Sequence, residues 1–149
     1  MFDRRFLIRL MSIAHRGIYR ATGGRIGGRA KGPVLLLTTK GRRSGRPRTV
    51  PLLYIHVNQG VDETDAGGAW AVVGSYAGEH RHPAWWLNLR AEAEGKIQIG
   101  SAELAVTTRE AGDGERAHLW PRFVSMYPGY EEYRQRTRRR IPVVILERQ

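Results

Sequence analysis

Residues 40–48 read Lys-Gly-Arg-Arg-Ser-Gly-Arg-Pro-Arg, five cations in nine positions with no acid among them. Charges this dense repel one another unless an anion settles between them. Arg42, Arg43, Arg46 and Arg48 carry planar forks matched to phosphate and carboxylate oxygens. Gly41 and Gly45 allow a tight turn and a close approach of backbone to ligand. The stretch is a socket for a polyanion, either a nucleic-acid backbone or the charged end of a small molecule. A second group is aromatic: Tyr127, Tyr130 and Tyr133 recur every three residues. That spacing lays three phenols along one side of a helical turn, able to line an apolar cavity and to supply protons. The third group is Trp85-Trp86 with Asn88 just beyond. Adjacent helical residues diverge by about 100°, which predicts one tryptophan in the core and the other over a pocket. Asn88 shares the face of Trp85.

Other constellations carry less. The chain has no cysteine, so disulfides, thiolate metal sites and cysteine nucleophiles are excluded, and redox chemistry needs an organic cofactor. His80 and His82 lack a third ligand and read as loop histidines, so no metal is expected. No Gly-x-Ser-x-Gly elbow surrounds Ser44 or Ser75. Residues 112–117 resemble a dinucleotide fingerprint only loosely, without a βαβ setting. Asp113, Glu115, Glu131 and Glu132 fall at helix starts or faces, where acids favour the helix dipole. The net charge of +11, from 25 Lys+Arg against 14 Asp+Glu, calls for an anionic partner.

The elements that must position these groups follow from periodicity. Residues 34–39 and 49–57 read as a hairpin around the basic loop, with Pro51 marking an edge strand or a bulge. Residues 69–75 form a third strand. Pro83 opens a helix reaching about Ala93, and residues 96–99 and 103–107 alternate as strands around a Gly100-Ser101 turn. Asp113 caps a helix to Met126, Tyr127-Pro128-Gly129 breaks it, a short helix carries Tyr130 and Tyr133, and residues 141–146 close as a strand. This order suits a mainly β protein with helices (α+β), an antiparallel barrel with helices packed around it. The chain divides into residues 1–31, an N-terminal amphipathic helix with a glycine-rich connector, and 32–149, the barrel domain. In the N-terminal helix Leu7, Leu10, Met11, Ala14 and Ile18 face one side and Arg5, Arg9, Arg16 and Arg20 the other. Such a helix can dock on the domain or lie on an anionic membrane. Arg9 interrupts any export signal, so the protein is expected in the cytoplasm, with peripheral contact on the inner face of the cell membrane through residues 1–20.

The segments LLTTKGRRSGRPRTVPL, VVGSYAG, HPAWWLNLRA and ERAHLWPRFVSMYPGYEEYRQRTRRRIPVV resemble, in order and spacing, the deazaflavin (F420)-dependent nitroreductase family of actinobacteria. The resemblance implies a split β-barrel of the FMN/F420-binding type and a reductase that passes a hydride from reduced coenzyme F420 to a quinone, an activated alkene or a nitro-heteroaromatic compound. It also supplies the anion, because F420 carries a phosphodiester and an oligoglutamate tail. By motif position Arg42, Arg43, Ser44, Arg46, Arg48, Thr49 and Val50 would contact the cofactor. Val73, Gly74, Ser75 and Tyr76 would run past its ring, Ala84, Trp85, Trp86, Leu87 and Asn88 would complete the pocket, and Tyr130 would lie over it. Ser75, Tyr130 and Tyr133 match positions near the reacting centre. Leu53 stands where the nitroreductase pattern has tyrosine, and Tyr76 where it has lysine, which leaves the nitro acceptor open. Two rival readings are a basic β-barrel that binds nucleic acid, stacking bases on Trp85, Tyr76 and Tyr130, and an FMN-dependent split-barrel oxidase.

Overall fold

The structure is a computed structural model that describes residues 32–58 and 68–149; the amphipathic helix expected over residues 1–20 lies outside them. Seven strands form one sheet: β1 (Val34–Lys40), β2 (Pro47–Leu53), β3 (Ile55–His56), β4 (Ala69–Val73), β5 (Glu94–Ile99), β6 (Ala102–Glu110) and β7 (Val143–Arg148). Three helices accompany it: α1 (Ala84–Ala91), α2 (Asp113–Met126) and α3 (Gly129–Arg136). The strand order is β2-β1-β5-β6-β7-β4-β3, and every ladder is antiparallel.

The expected hairpin is present in register from Val34↔Leu53 to Lys40↔Pro47, and Pro51 does lie in an edge strand. Its second strand is shorter than the sequence pattern predicts. Tyr54, buried with its amide donating to the Pro33 carbonyl at 3.1 Å, divides residues 47–57 into β2 and β3. These two strands stand at opposite ends of the sheet order although one residue separates them in the chain. The sheet therefore curls until its edges meet at Tyr54, making a half-barrel. Beyond the β3–β4 pairs Ile55↔Ala71 and His56↔Trp70, β4 runs back on the β2 side of that junction. No ladder joins β2 to β4 among the described residues, so the two edges flank a split.

Alternation along the strands supplies both sides of the core. Leu35, Leu37, Trp70, Val72, Ile97, Val106, Val144 and Leu146 point inward, where Trp85, Trp86 and Leu89 of α1 join them. Ala71, Val73, Val143 and Ile145 point outward and are covered by Leu119 and Phe123 of α2 and Tyr130 of α3. Each fully buried Leu or Ile contributes roughly 1.5–3 kcal/mol relative to exposure. β4 and β7, packed on both faces, are thus the most firmly held strands. Two helix starts differ by a residue from the sequence reading. Pro83 is the extended residue before α1 (φ −64°, ψ 149°) rather than its first turn. Gly112, not Asp113, precedes α2, and the Glu115 carboxylate accepts its amide at 3.1 Å.

Candidate active site

The basic loop is built by its glycines. The Gly41 amide donates to the Arg46 carbonyl and the Gly45 amide to the Gly41 carbonyl, both at 2.8 Å. Gly45 has φ +70°, a left-handed conformation that L residues adopt at a cost. A Cβ on Gly41 would meet Ser44 Oγ at 2.6 Å. Ser44 Oγ accepts the Arg46 amide at 3.2 Å, so this hydroxyl shapes the loop. Below it lies Asn88 of α1, which is 4% exposed. Its Oδ1 accepts the Arg42 amide at 3.1 Å and Arg42 Nη1 at 3.5 Å. Its Nδ2 donates to Thr39 Oγ1 at 3.0 Å. A buried side-chain amide satisfied at both ends fixes the loop to the helix. Lys40 lies 3.6 Å from Glu92, a neutralising acid that the loop's own sequence does not contain. Among the described residues Arg42, Arg43, Arg46 and Arg48 enter no ion pair, and all four are exposed.

Across the split, β4 ends at Val73, and Gly74, Ser75 and Tyr76 follow it. Gly74 is pressed against the residue before β7: its amide donates to the Pro142 carbonyl at 2.9 Å, and a Cβ would lie 2.8 Å from Pro142 Cγ. Tyr76 (φ 46°) and Ala77 (φ 52°) then adopt two successive left-handed conformations, each costing about 1–2 kcal/mol. Gly78 follows at φ +77°, where a Cβ would sit 3.1 Å from Tyr133 Cα. The turn therefore rests on α3. It is closed by the Gly78 amide on the Ser75 carbonyl and the Glu79 amide on the Tyr76 carbonyl, each at 3.0 Å.

Arg139 holds this turn, and the sequence reading missed it within a general basic run at 134–140. Its Nη1 and Nη2 each donate to the Gly74 carbonyl at 3.1 Å, Nη2 to the Ser75 carbonyl at 2.8 Å and Nε to the Glu79 carbonyl at 2.9 Å. Nη1 also lies 3.3 Å from His82 Nδ1, which places the lone pair of a neutral imidazole toward the guanidinium. Burial first, then the charges of Arg139 and Arg90, hold His82 below the usual imidazole range, with Glu110 opposing. Burial also lowers Arg139 itself. The run Arg138-Arg139-Arg140 carries no signal that singles it out; only the structure shows Arg138 and Arg140 exposed and Arg139 between them half-buried.

The aromatic groups depart from expectation. Trp85 and Trp86 are each 6% exposed and belong to the same inner cluster, with their rings edge to face at 6.4 Å. Neither stands over a pocket while the other packs. α1 sits in the mouth of the curled sheet, so apolar wall meets it on more than one side. Ala84 is exposed and Leu87 half-buried. The three tyrosines form a knot rather than a wall. Tyr130 is buried at its centre, its ring against Trp120, Phe123, Tyr127 and Tyr133. It does not present an open face in the way a residue lying over a pocket would, because four aromatic rings surround it within the outer cluster. Burial, then the neighbouring Tyr133 and Tyr127, pushes its phenol well above the ordinary range. The hydroxyls of Tyr127 and Tyr133 are 2.9 Å apart. Leu53 packs on this cluster.

The structure thus joins Arg42 to Asn88, and Ser75–Tyr76 to Tyr133 through Gly78. It separates Thr49 from its neighbours: Val50 packs toward the inner cluster. The Thr49 hydroxyl turns outward to Thr38 Oγ1 at 2.8 Å, lining a polar groove of about 350 Å³ with Lys96, Gln98 and Glu103. The donor set of the loop fits an anion, since its four arginines have no acid partner among the described residues. Among the described residues no cluster of His, Asp and Glu could hold a metal ion.

Comparison with known proteins identifies the family. The profile of the F420H(2)-dependent quinone reductase family matches residues 11–148. An F420H(2)-dependent quinone reductase of Mycobacterium tuberculosis (strain H37Rv) is 37% identical over 139 residues, 90% of this chain and 87% of that protein. A solved F420-H2 dependent reductase, FDR-A, superposes with a TM-score of 0.64 at 39% identity, covering 77% of this chain and 94% of that one. A second solved structure, described as a domain-swapped dimer, gives 0.66 at 34% identity over 91% and 96% of the two chains. The half-barrel is accordingly of the split-barrel type, and the chain belongs to the F420H(2)-dependent quinone reductase family, oxidoreductase enzymes that use coenzyme F420.

Proposed function

We propose that this protein binds reduced F420 along the split and passes its hydride to a quinone held against the turn at 74–78. The observation that carries this reading is the loop of four exposed arginines with no acid partner among the described residues, fixed from beneath by the buried Asn88. Reduced F420, when bound, supplies the hydride. The chain supplies position. Arg42, Arg43, Arg46 and Arg48 hold the phosphodiester and glutamates as charge-assisted pairs, with Ser44 shaping that lip and Thr49 and Val50 supporting it from β2. Val73, Gly74, Ser75 and Tyr76 flank the ring. Ala84, Trp85, Trp86 and Leu87 close the floor with Asn88 and exclude water, which strengthens the polar contacts above them.

Ser75 and Tyr133 stand nearest the reacting centre in this reading. The Tyr127–Tyr133 hydroxyl pair offers a short path for the proton that accompanies the hydride. Tyr130 acts by fixing Tyr133 rather than as a donor, because its buried phenol holds its proton. Activated alkenes and nitro-heteroaromatics make up the wider acceptor set, with Leu53 and Tyr76 governing the choice. A nucleic-acid role is disfavoured by burial: Trp85 and Tyr130, which would stack bases, are each 6% exposed. Residues 1–31 and 32–149 remain our division of the chain. The basic amphipathic pattern of residues 1–20 supports peripheral contact with an anionic membrane, where quinones reside; among the described residues no helix is long and apolar enough to cross one.

The test is a titration with oxidised F420, followed by its intrinsic fluorescence, and turnover of the reduced form with a soluble naphthoquinone. Saturable binding at micromolar concentrations with quinone-dependent oxidation is expected. Absence of binding would refute the reading.

A further inference from the structure

We propose that Arg139 is a positioning residue for hydride transfer, setting the turn at 74–79 without touching cofactor or acceptor. The inference rests on the reading that Val73–Tyr76 flanks the cofactor ring. Tyr76 and Ala77 occupy left-handed conformations that their side chains disfavour. Such backbone persists only where surrounding structure over-determines it. The internal bonds of the turn, two amides on the Ser75 and Tyr76 carbonyls, close it but do not orient it on the barrel.

Arg139 shares the orienting with the Gly74 amide on the Pro142 carbonyl and with Tyr133 beneath Gly78, and it alone spans both limbs. One guanidinium bonds the carbonyls of Gly74 and Ser75 on the entering limb and of Glu79 on the leaving limb. The two limbs are thereby clasped across the left-handed residues. The planar fork matters, because three carbonyls are met by three different nitrogens in fixed directions. A lysine ammonium, a point donor on a flexible stem, cannot meet both limbs at once. Arg139 also follows α3 and precedes Ile141 and Pro142, the residues that lead into β7. It therefore refers the turn to the most firmly packed part of the sheet. The anion loop shares none of these contacts; its fixings are Asn88 and its own glycines.

The consequence is a separation of effects. Loosening the clasp displaces Ser75 and Tyr76 beneath the reacting atoms while leaving the charged grip intact. A displacement of about 1 Å is enough to cost on the order of 100-fold in rate. Arg139→Gln is expected to bind F420 within about 3-fold of wild type and to lose at least about 30-fold in kcat, with little change in KM for the quinone. Amide hydrogen exchange should accelerate at residues 75–79 and stay unchanged at 41–46. Arg139→Lys should fall between, by about 5-fold or more in kcat. Arg116→Gln is the control. That guanidinium is also half-buried and bonds a carbonyl, that of Ile141, but none of the turn's own carbonyls, so its loss should lower Tm and spare kcat.

Arg139→Gln with kcat near wild type overturns the proposal, as does a kcat loss that Arg116→Gln reproduces at equal Tm. Should Arg139→Gln fail to fold, Arg139→Lys decides by the same measure. Wild-type protein that does not bind F420 overturns the site assignment instead. The exchange comparison then judges the clasp, and unchanged protection at 75–79 in Arg139→Gln sinks it.

Discussion

The loop at 41–46, which follows β1, and the turn at 74–79, which follows β4, are built in opposite ways. In the loop the side chains are exposed and the backbone is shaped locally, by two glycines, two short amide bonds and one buried asparagine. In the turn the backbone is left-handed, and its shape is imposed from Arg139 and α3, some 60 residues away in sequence. One region offers charge, the other geometry. The difference matches what the proposed roles require. Coulombic attraction falls off gradually with distance, so a phosphate and its glutamates tolerate a loop that shifts slightly. Hydride transfer requires reacting atoms about 3–3.5 Å apart, and a turn beneath it has to be over-determined.

Substitutions on either side should keep these roles apart. Arg43→Glu replaces a charge-assisted contact with repulsion, and F420 affinity should fall by about 30-fold or more with Tm unchanged. Equal affinity would remove the loop from the site. Asn88→Ala leaves the Arg42 amide and the Thr39 hydroxyl without their partner. About 1–3 kcal/mol of stability should be lost, and F420 affinity should drop by roughly 10-fold because the loop is no longer seated. An affinity loss without any fall in Tm would mean that Asn88 touches the ligand rather than the loop. Tyr133→Phe breaks the Tyr127–Tyr133 hydroxyl pair; turnover should slow by about 10-fold, with binding within about 2-fold. Undiminished turnover would exclude Tyr133 as the proton route.

The smallest effect belongs outside both regions. The Arg109 guanidinium, and then the Gly112 amide, hold the Glu115 carboxyl at about 2. The folded value lies below the ordinary one, so the contribution is complete above about pH 4.5 and fades as pH falls toward 2. Because the pair is exposed, Glu115→Gln should lower Tm by only about 2 °C at pH 7. That gap should close in acid. A gap that persists at pH 2 would contradict the assignment.

The unequal construction of the two regions also decided what could be read from the chain. The basic loop was legible as a loop because its parts are contiguous: cations, glycines and flanking strands all lie within residues 34–57. The hairpin, α2, α3 and the Gly100-Ser101 turn were legible for the same reason, through periodicity and local breakers. The turn was not. Its left-handed residues are Tyr76 and Ala77, types that give no hint of positive φ, and the residue that enforces them sits beyond α3. Trp85 and Trp86 show a second limit. Helical spacing separates them by about 100°, yet a concave sheet surrounds α1 and buries both. Tyr130 shows a third: regular spacing revealed the tyrosine cluster, but not which ring would lie at its centre.

The central claim is that the arginine loop recognises the anionic tail of F420 while the turn governs the ring end. It is tested most directly by measuring affinity for F420 and for its deazaflavin–ribityl fragment, which lacks the phosphodiester and glutamates, in wild type and in Arg43→Glu. Wild type should bind F420 at least about 30-fold more tightly than the fragment, and Arg43→Glu should erase most of that difference while leaving affinity for the fragment unchanged. Equal affinity of the wild type for the two molecules would contradict the account.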